Sequence, residues 1–275
     1  MKTIPTITLN NGVDMPQIGY GVFQVPDAET EQAVAAALAA GYRSIDTAAV
    51  YGNEAGVGRA LAASGLPREE LFITSKAWIA DLGFDETLAA YQASLEKLGL
   101  VYLDLYLIHW PAPATGLYLE SWRALETLLA AGKVRAIGVS NFLPEHLQRI
   151  LDVGNTVPAV NQVELHPALQ QREIQEFNAA HGVVTEAWSP LAQGAVLGEQ
   201  AVTDIAAAHG RTPAQVILRW HLQQGRVVIP KSVTPARIAE NLDILDFELA
   251  DDELAALDAL ERDGRTGPHP ADFNG

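Results

Sequence analysis

The sequence predicts a (β/α)8 barrel, an α/β fold of the TIM-barrel type, formed as one domain over residues 1–275. Short apolar runs alternate with helical patterns along the chain, and we count eight such strand–helix units. Eight units in about 250 residues is the size of this barrel. No long linker or low-complexity tract interrupts the pattern. A doubly wound sheet is the competing fold, but Gly56–Gly58 lacks the third glycine of its dinucleotide fingerprint and does not directly follow a predicted strand.

The elements follow one another in a regular order. Residues 6–16 predict a small β-hairpin that turns at Asn10–Gly12. Eight strands are then predicted over Gln17–Gly21, Arg43–Asp46, Leu71–Lys76, Asp104–His109, Val134–Ser140, Val157–Gln162, Val183–Ser189 and Val227–Pro230. Helices are predicted near 28–40, 54–64, 85–99, 119–131, 144–153, 170–181, 202–209 and 213–224.

Several helix boundaries carry their own signals. Gly41 predicts the end of the first helix, and Asn53 is placed to cap a helix that begins near Glu54. Thr212–Gln215 reads as a capping box with proline at the first helical position. Thr234–Pro235 can begin a further short helix after the last strand.

The composition limits the classes of partner. The chain has 18 basic and 34 acidic residues, a net charge of −16, which argues against nucleic-acid and anionic-membrane partners. Zero cysteines exclude disulfides, iron–sulfur clusters and thiol nucleophiles. The first residues lack the apolar core of a signal peptide, and the chain has no apolar run of about 18 residues. We therefore expect a soluble cytoplasmic protein.

Ionisable residues stand at the ends of three adjacent predicted strands. Asp46 ends the second strand, with Tyr51 just beyond it; Lys76 ends the third and His109 the fourth. Singly, each has a structural alternative: Asp46 could cap a turn, Lys76 could reach outward to solvent, and His109 could be a satisfied core histidine. Because the carboxyl ends of barrel strands meet at one mouth, where catalytic residues of this fold lie, the three together favour a reactive site.

The later strands end in groups suited to a ligand. Ser140–Asn141, Asn161–Gln162 and Trp188–Ser189 offer amides and hydroxyls for a carboxamide, and an indole that could stack on a flat ring. The last strand runs into Lys231–Pro235, and the helix after it carries Arg237. A short helix after the last strand is where this fold usually binds phosphate, and the two basic side chains add positive charge. The alternative is a well-capped helix with solvated basic residues.

Taken together, these segments resemble the aldo-keto reductase family. The matching stretches are Gly41–Glu54, Thr74–Trp78, Leu105–Pro111, Ala136–Phe142, Asn161–Pro167, Ala187–Gly194 and Ile229–Asn241. Within the family the sequence is most similar to the bacterial 2,5-diketo-D-gluconate reductase group, including the ending Gly267–Pro270. The resemblance implies a barrel whose bottom is closed by the N-terminal hairpin, NADPH bound without a Rossmann domain, and a monomer.

The resemblance also implies roles for individual residues. The family's catalytic tetrad falls on Asp46, Tyr51, Lys76 and His109. Cofactor positions fall on Ser140, Asn141 and Gln162 for the carboxamide, Trp188 for the nicotinamide, Ser189, Leu191 and Gln193 for the pyrophosphate, Lys231, Ser232 and Arg237 for the 2′-phosphate, and Glu240 and Asn241 near the adenine.

The resulting hypothesis is reduction of an aldehyde or ketone by NADPH, with Tyr51 as the proton donor. Lys76 is expected to lower the pKa of Tyr51, Asp46 to hold Lys76 charged, and neutral His109 to position the carbonyl oxygen. Phe23, Trp78 and Trp110 border the predicted mouth and are expected to line the substrate pocket. The short loop Ala112–Leu117 and the brief C-terminal tail suggest an open pocket for small polar carbonyls such as methylglyoxal, or for sugar-derived keto acids such as 2,5-diketo-D-gluconate.

Two alternatives belong to other functional classes. The same barrel could serve as a non-catalytic NADP(H)-binding sensor or structural subunit, although such a protein has no need for a proton donor. A metal-dependent hydrolase using His109 and Asp46 is the other alternative. His166 and His181 have no ligand spacing relative to these residues, so no metal site is expected.

Overall fold

The structure is a computed structural model, and it describes residues 4–275. Over these residues the strands are β1 (Thr6–Thr8), β2 (Asp14–Pro16), β3 (Tyr20–Gly21), β4 (Ser44–Asp46), β5 (Phe72–Ala77), β6 (Leu103–Ile108), β7 (Val134–Ser140), β8 (Val160–Glu164), β9 (Val184–Trp188) and β10 (Val227–Val228). The helices are α1 (Asp27–Ala40), α2 (Glu54–Ala63), α3 (Phe84–Leu98), α4 (Tyr118–Ala130), α5 (Pro144–Val153), α6 (Arg172–Ala180), α7 (Gln200–His209), α8 (Pro213–Gln223), α9 (Pro235–Leu242) and α10 (Asp251–Asp258).

Strands β3 to β10 form one parallel sheet in which each strand lies beside the next in sequence. The two edges of this sheet also meet. The Gly19 amide donates to the Val228 carbonyl at 2.8 Å, and the Val228 amide donates to the Gln17 carbonyl at 3.0 Å. These bonds join the first strand to the last, as the predicted barrel requires.

The predicted N-terminal hairpin is present. Strands β1 and β2 pair antiparallel, with Thr6 opposite Pro16. The hairpin buries Leu9 and Met15 in an apolar cluster made by the barrel strands, with Phe72, Leu105, Leu107, Ala136, Ala159, Val160 and Val227. Most of these partners lie in the first halves of their strands, so the hairpin lies at the end of the barrel opposite the carboxyl ends of the strands.

Two of the helix-boundary signals act as predicted. Gly41 ends α1 in the left-handed region, at φ 116°, and its amide donates to the Ala37 and Leu38 carbonyls. At the start of α8 the Thr212 hydroxyl accepts from the Gln215 amide, and the Gln215 side chain accepts from the Thr212 amide. Glycine and the capping box therefore fix these two helix ends as their physical properties predict.

The cap predicted at Asn53 was wrong in one respect. Asn53 does precede α2, but its side chain makes no capping bond to that helix. Its amide oxygen accepts from the Thr47 hydroxyl, and its Nδ2 donates to the Val22 and Val25 carbonyls at 2.9 Å each. Asn53 thereby joins the loops that follow β3 and β4, and this long-range contact replaces the local cap.

The sixth predicted strand was displaced along the chain. It was expected over Val157–Gln162, whereas β8 begins at Val160 and continues to Glu164. Pro158 has no amide hydrogen to give to a sheet, which delays the start of pairing. The two added residues at the carboxyl end bring Glu164 into the buried rim of the barrel.

Helix α10 was not predicted at all. Its sequence carries three acidic residues in the first turn, Asp251–Glu253, where they favour the helix dipole, but it has little apolar periodicity. None of the helices within residues 4–275 combines the length and the apolar character needed to cross a membrane.

Candidate active site

The parallel register brings the ionisable strand ends to one side of the barrel. Asp46 closes β4, Lys76 lies in β5, and His109 directly follows β6. Tyr51 ends a single 3-10 turn, Ala49–Tyr51, in the loop after β4. Asp46 pairs in register with Thr74, two residues before Lys76, so the strands hold these groups side by side.

Lys76 and Asp46 form a buried ion pair. The Lys76 Nζ lies 2.6 Å from the Asp46 Oδ1 and donates to the Thr47 carbonyl at 3.0 Å. The two side chains are 0% and 2% exposed. Burial alone would lower the pKa of the Lys76 ammonium, but Asp46 and Tyr51 outweigh this effect and the pKa is raised. Lys76 is therefore held as a cation inside the barrel.

Tyr51 lies against this cation. Its ring centroid is 5.2 Å from the Lys76 Nζ and 5.6 Å from the His109 ring. Burial raises the pKa of the Tyr51 hydroxyl above its ordinary value, and Asp46 adds to this, while the Lys76 charge lowers it. Lys76 thus acts on Tyr51 as predicted. The expected net lowering of the Tyr51 pKa was nevertheless wrong, because desolvation raises this pKa by more than Lys76 lowers it.

The imidazole of His109 is neutral, as predicted. The residue is 7% exposed, and burial together with the nearby Lys76 cation lowers its pKa well below the ordinary value. Its Nδ1 is buried and has no hydrogen-bond partner among residues 4–275. A neutral imidazole in this position can donate or accept one hydrogen bond towards a ligand.

Aromatic side chains surround these groups as expected. Phe23 is 52% exposed and lies 5.1 Å from the Tyr51 ring, and Trp78 lies 5.1 Å from the His109 ring. Trp110 packs at 4.5 Å against Phe273, a residue of the C-terminal tail. The Trp78 and Phe273 ring centroids are 6.2 Å apart.

The contribution of Phe273 was missed because the tail was judged too brief to reach the mouth. The Asn274 side chain accepts from the Ala114 amide at 2.9 Å, which fastens the tail to the loop after β6. The mouth therefore has a wall that the expectation of an open pocket left out. An aromatic residue in an otherwise polar tail was the available signal.

The predicted carboxamide-binding residues lie together at the end of β7 and within β8, next to Trp188 at the end of β9. The Asn141 Oδ1 accepts from the Trp188 indole at 2.8 Å, and the Asn141 Nδ2 donates to the His109 carbonyl at 3.0 Å. The Ser140 hydroxyl donates to the Gln162 carbonyl at 2.8 Å. The bonds of Asn141 fix the orientation of its amide and, through it, of the Trp188 ring.

Four non-glycine residues near this edge have left-handed backbone. They are Asn141, Ser189, Ala192 and Gln193, with φ values of 62°, 46°, 49° and 53°. Such a conformation costs on the order of 1 kcal/mol for a residue with a side chain, and it tends to gather at ligand sites. Three of the four are predicted cofactor positions, which suits a backbone shaped around a bound molecule. Leu191, the remaining predicted residue of this segment, packs partly against the core.

The predicted phosphate region is open to solvent. Lys231 and Arg237 are exposed, and neither forms a salt bridge within residues 4–275. The Ser232 hydroxyl accepts from the Thr234 amide just before α9. Two unpaired cations at the start of a helix are suited to an anionic group.

The two residues predicted near the adenine are already engaged or covered. The Glu240 carboxylate accepts from the Thr212 hydroxyl at 2.8 Å. Asn241 is buried. The Glu240 bond ties α9 to the start of α8, whereas Arg237 of the same helix stays exposed.

Glu186 was missed by the sequence reasoning. It lies in β9 with 1% exposure, and its Oε2 accepts from the Gln162 Nε2 at 2.8 Å. The same nitrogen donates to the Asp46 Oδ2 at 2.9 Å, so Gln162 bridges two carboxyl groups. Burial and the nearby Asp46 charge raise the pKa of Glu186 to about 8. An acid inside an apolar strand was the sequence signal for this contact.

A second missed acid, Glu164, anchors the C-terminal tail. Its carboxylate accepts from the Thr266 amide and hydroxyl at 2.6 Å and 2.5 Å, and from the Gly267 amide at 3.0 Å. A side chain at Gly267 would come within 2.6 Å of the Trp188 ring. The close approach of the tail to Trp188 therefore requires glycine at this position. The His166 imidazole lies 3.1 Å from the same carboxylate, so it belongs to this anchor.

Within residues 4–275, no three histidine or acidic side chains come together as a metal centre would require.

Comparisons with known proteins agree with this geometry. The model of the aldo/keto reductase family matches residues 15–262. An aldo-keto reductase of Mycobacterium sp. (strain JLS) is 53% identical over 270 residues, covering 98% of each chain. The glyoxal reductase of Bacillus subtilis (strain 168) is 53% identical over 266 residues, covering 96% of each. A crystal structure of a Gox0644 variant in complex with NADPH is 49% identical, with a TM-score of 0.95 over 99% of each chain. The chain therefore belongs to the aldo/keto reductase family.

Proposed function

We propose that this protein reduces small polar aldehydes and ketones to alcohols with NADPH, using Tyr51 as the proton donor. Membership of the family and a close structural neighbour in complex with NADPH make the chain an NADPH-dependent oxidoreductase. The observation that carries the more specific proposal is the buried Asp46–Lys76 pair, whose ammonium faces the Tyr51 ring beside neutral His109.

The residues at the mouth fit such a cofactor. The amide and hydroxyl groups of Asn141, Ser140 and Gln162 would hold the carboxamide, and the half-buried Trp188 ring would lie against the nicotinamide. The left-handed backbone at Ser189 and Gln193 suits a close approach to the pyrophosphate. In the same proposal Leu191 would line the pyrophosphate with Ser189 and Gln193. The exposed Lys231 and Arg237 would hold the 2′-phosphate together with Ser232. Glu240 and Asn241 would lie near the adenine.

When bound, NADPH supplies a hydride to the carbonyl carbon, so negative charge develops on the carbonyl oxygen. The Tyr51 hydroxyl would donate a proton to that oxygen. Lys76 would stabilise the tyrosinate that remains, and Asp46 would keep Lys76 charged and in place. The neutral His109 ring would hydrogen-bond the same oxygen and orient it. In this mechanism Lys76 and Asp46 would act in the positions and charge states in which the barrel already holds them.

The pocket walls indicate the size of substrate. Phe23 packs against Tyr51 and Trp78 against His109, while Phe273 contacts both Trp78 and Trp110 and narrows the opening. We therefore propose small carbonyls such as methylglyoxal, in keeping with the glyoxal reductase relative, and keto-sugar acids such as 2,5-diketo-D-gluconate as the substrate class. The proposal also includes a monomeric, cytoplasmic enzyme built as one barrel domain, which sedimentation and cell fractionation would test.

The direct test is the loss of NADPH absorbance in the presence of methylglyoxal, a nitrobenzaldehyde or 2,5-diketo-D-gluconate, each repeated with NADH. Turnover that favours NADPH is expected, and the ranking of the three carbonyls would identify the preferred class. Tight NADPH binding with no turnover of any carbonyl would contradict the proposal and leave a nucleotide-sensing barrel instead.

A further inference from the structure

We propose that Glu186 is a positioning residue. Together with Asp46 it fixes the Gln162 amide so that the Gln162 Oε1 accepts a hydrogen bond from an N–H group of the cofactor's carboxamide. This inference rests on the proposed function, because it concerns how the same site recognises the nicotinamide end of NADPH. It assigns a task to a residue of β9 that would not itself touch the cofactor.

The contacts of Gln162 define the orientation of its amide. A glutamine side chain has two N–H donors on one atom and acceptor capacity on the other. The Gln162 Nε2 donates to the Asp46 Oδ2 at 2.9 Å and to the Glu186 Oε2 at 2.8 Å, so both donors are in use. A flipped amide would set its oxygen against the Asp46 carboxylate, which can only accept, and would take both N–H groups away from the two acids. Only one orientation of the amide is therefore compatible with this pair of acids.

The amide oxygen of Gln162 is the atom left over. No donor within residues 4–275 bonds it, and it is not one of the unpartnered polar atoms sealed inside the protein. Gln162 pairs in register with Ser140, whose hydroxyl bonds the Gln162 carbonyl. The free oxygen is thus an acceptor at the same strand ends that carry the other proposed carboxamide contacts.

Asp46 cannot satisfy both N–H groups of Gln162 alone. Its Oδ1 is taken by the Lys76 ammonium, and its Oδ2 accepts only one of the two Gln162 N–H groups. Without Glu186 the second N–H would be buried with no partner, which favours rotation of the amide. Glu186 can accept this bond without adding a second negative charge beside Asp46, because burial raises its pKa to about 8.

The test compares two ligands that differ only in that donor. NADP+ carries a carboxamide with N–H groups, whereas its 3-acetylpyridine analogue carries an acetyl group with none. Dissociation constants for both are measured by quenching of tryptophan fluorescence, for wild type, Glu186→Met and Glu186→Gln. Methionine removes the acceptor at similar volume, while glutamine keeps an acceptor oxygen without the carboxyl.

We expect wild type to bind NADP+ more tightly than the analogue. Glu186→Met should raise the Kd for NADP+ roughly tenfold, the loss of about one well-made hydrogen bond, and change the Kd for the analogue little. Glu186→Gln should restore most of the discrimination. If Glu186→Met does not fold, Glu186→Ala takes its place with the same expectation.

Glu54→Gln is the matched control. Glu54 is as buried as Glu186, but its carboxyl contacts the Ser75 hydroxyl and Lys97 instead of Gln162. The ratio of the two dissociation constants should therefore stay at the wild-type value.

The outcomes separate this inference from the proposed function. Equal weakening of both ligands by Glu186→Met would overturn the inference, since it would mean a general support of the site. Equal binding of both ligands by wild type would also overturn it, while cofactor binding would stand. Failure of wild type to bind NADP+ at all would instead contradict the proposed function.

Discussion

Two regions of the barrel mouth hold charge in opposite ways. Around Lys76, the charged and polar groups are buried and each is fixed by a named partner, Asp46 or Gln162. At the start of α9, Lys231 and Arg237 stand in solvent without a salt-bridge partner in the described chain, residues 4–275. Buried charges interact strongly and have one allowed arrangement, whereas exposed charges are screened and act mainly on groups close to them.

The difference indicates what each region can contribute. The buried network can set protonation states and the orientation of single groups, which is what proton transfer and carboxamide recognition need. The exposed pair can attract a phosphate but cannot specify geometry to the same degree. Substitutions in the first region should therefore affect catalysis and folding, and those in the second should affect only the choice of cofactor.

The largest effect is expected at Tyr51. Tyr51→Phe removes the proposed proton donor and leaves the ring in place against Phe23 and His109. The rate constant kcat should fall by roughly 10²–10⁴ or more, while the Kd for NADPH stays near the wild-type value. Steady-state assays and fluorescence titration measure the two quantities.

Tyr106→Phe is the control for this prediction. Tyr106 is a buried tyrosine of β6 whose ring packs against Tyr91, away from the mouth. Its substitution should leave the turnover of carbonyls close to wild type. Full turnover by Tyr51→Phe would show that another group delivers the proton.

Breaking the buried ion pair should cost the most stability. Lys76→Met leaves the Asp46 carboxylate without its cation at 2% exposure, so the free energy of unfolding should fall by about 3–5 kcal/mol. Asp46→Asn combined with Lys76→Met should recover part of this loss, because the uncompensated charge is then removed. Chemical denaturation of the single and double variants measures both values.

An exposed ion pair provides the comparison. Arg59 and Asp27 lie 3.0 Å apart with side chains 46% and 40% exposed. Arg59→Met should cost less than about 1 kcal/mol in the same measurement. Equal losses at the two pairs would contradict the distinction between buried and exposed charge.

The pH dependence of stability should report the state of Glu186. With a pKa raised from 4.5 to about 8, the folded protein keeps a proton here that the unfolded chain releases. This contribution to stability is full below about pH 4.5 and is lost as pH rises to about 8. Relative to Glu186→Gln, wild type should therefore lose roughly 2–4 kcal/mol between pH 5 and pH 8.

Denaturant unfolding of both proteins at the two pH values measures that change. A constant difference between wild type and Glu186→Gln would mean that Glu186 is ionised throughout, and that the buried network carries two negative charges.

Much of the site was predictable because strand ends are encoded locally. Asp46, Lys76 and His109 each follow an apolar run, and parallel pairing then brings such residues together whatever the details of packing. Glu186 was not predictable in this way. It lies inside its strand, and its importance depends on lying beside Gln162 of the neighbouring strand β8, which only the register decides.

The tail contacts lay further out of reach. The hydrogen bond between Glu164 and Thr266 joins residues 102 apart in sequence, and the sequence around either residue gives no signal for this contact. Asn53 illustrates the same limit in a short segment, since a good capping residue was taken by Val22 and Val25, about thirty residues before it. Local preference predicts helices and strands well. Long-range hydrogen bonds decide which side chains remain free to make the local contacts, such as a helix cap, that this preference predicts.

The smallest effect is expected in the exposed region. Lys231→Gln with Arg237→Gln should lower the preference for NADPH over NADH by roughly ten- to a hundredfold, since each removes a proposed charge-assisted contact to the 2′-phosphate. The preference is measured as the ratio of kcat/KM for the two cofactors. The change should shrink at high salt, because exposed charges are screened.

Lys133→Gln with Arg123→Gln makes the same change in net charge at two exposed positions, one within α4 and one just after it. It should leave the cofactor ratio unaltered, so any effect of the first pair comes from position and not from total charge. Neither pair should shift the free energy of unfolding by more than about 0.5 kcal/mol per residue. A large loss of stability on removing Lys231 and Arg237 would mean that this surface supports the fold, and the contrast with the Lys76 network would then fail.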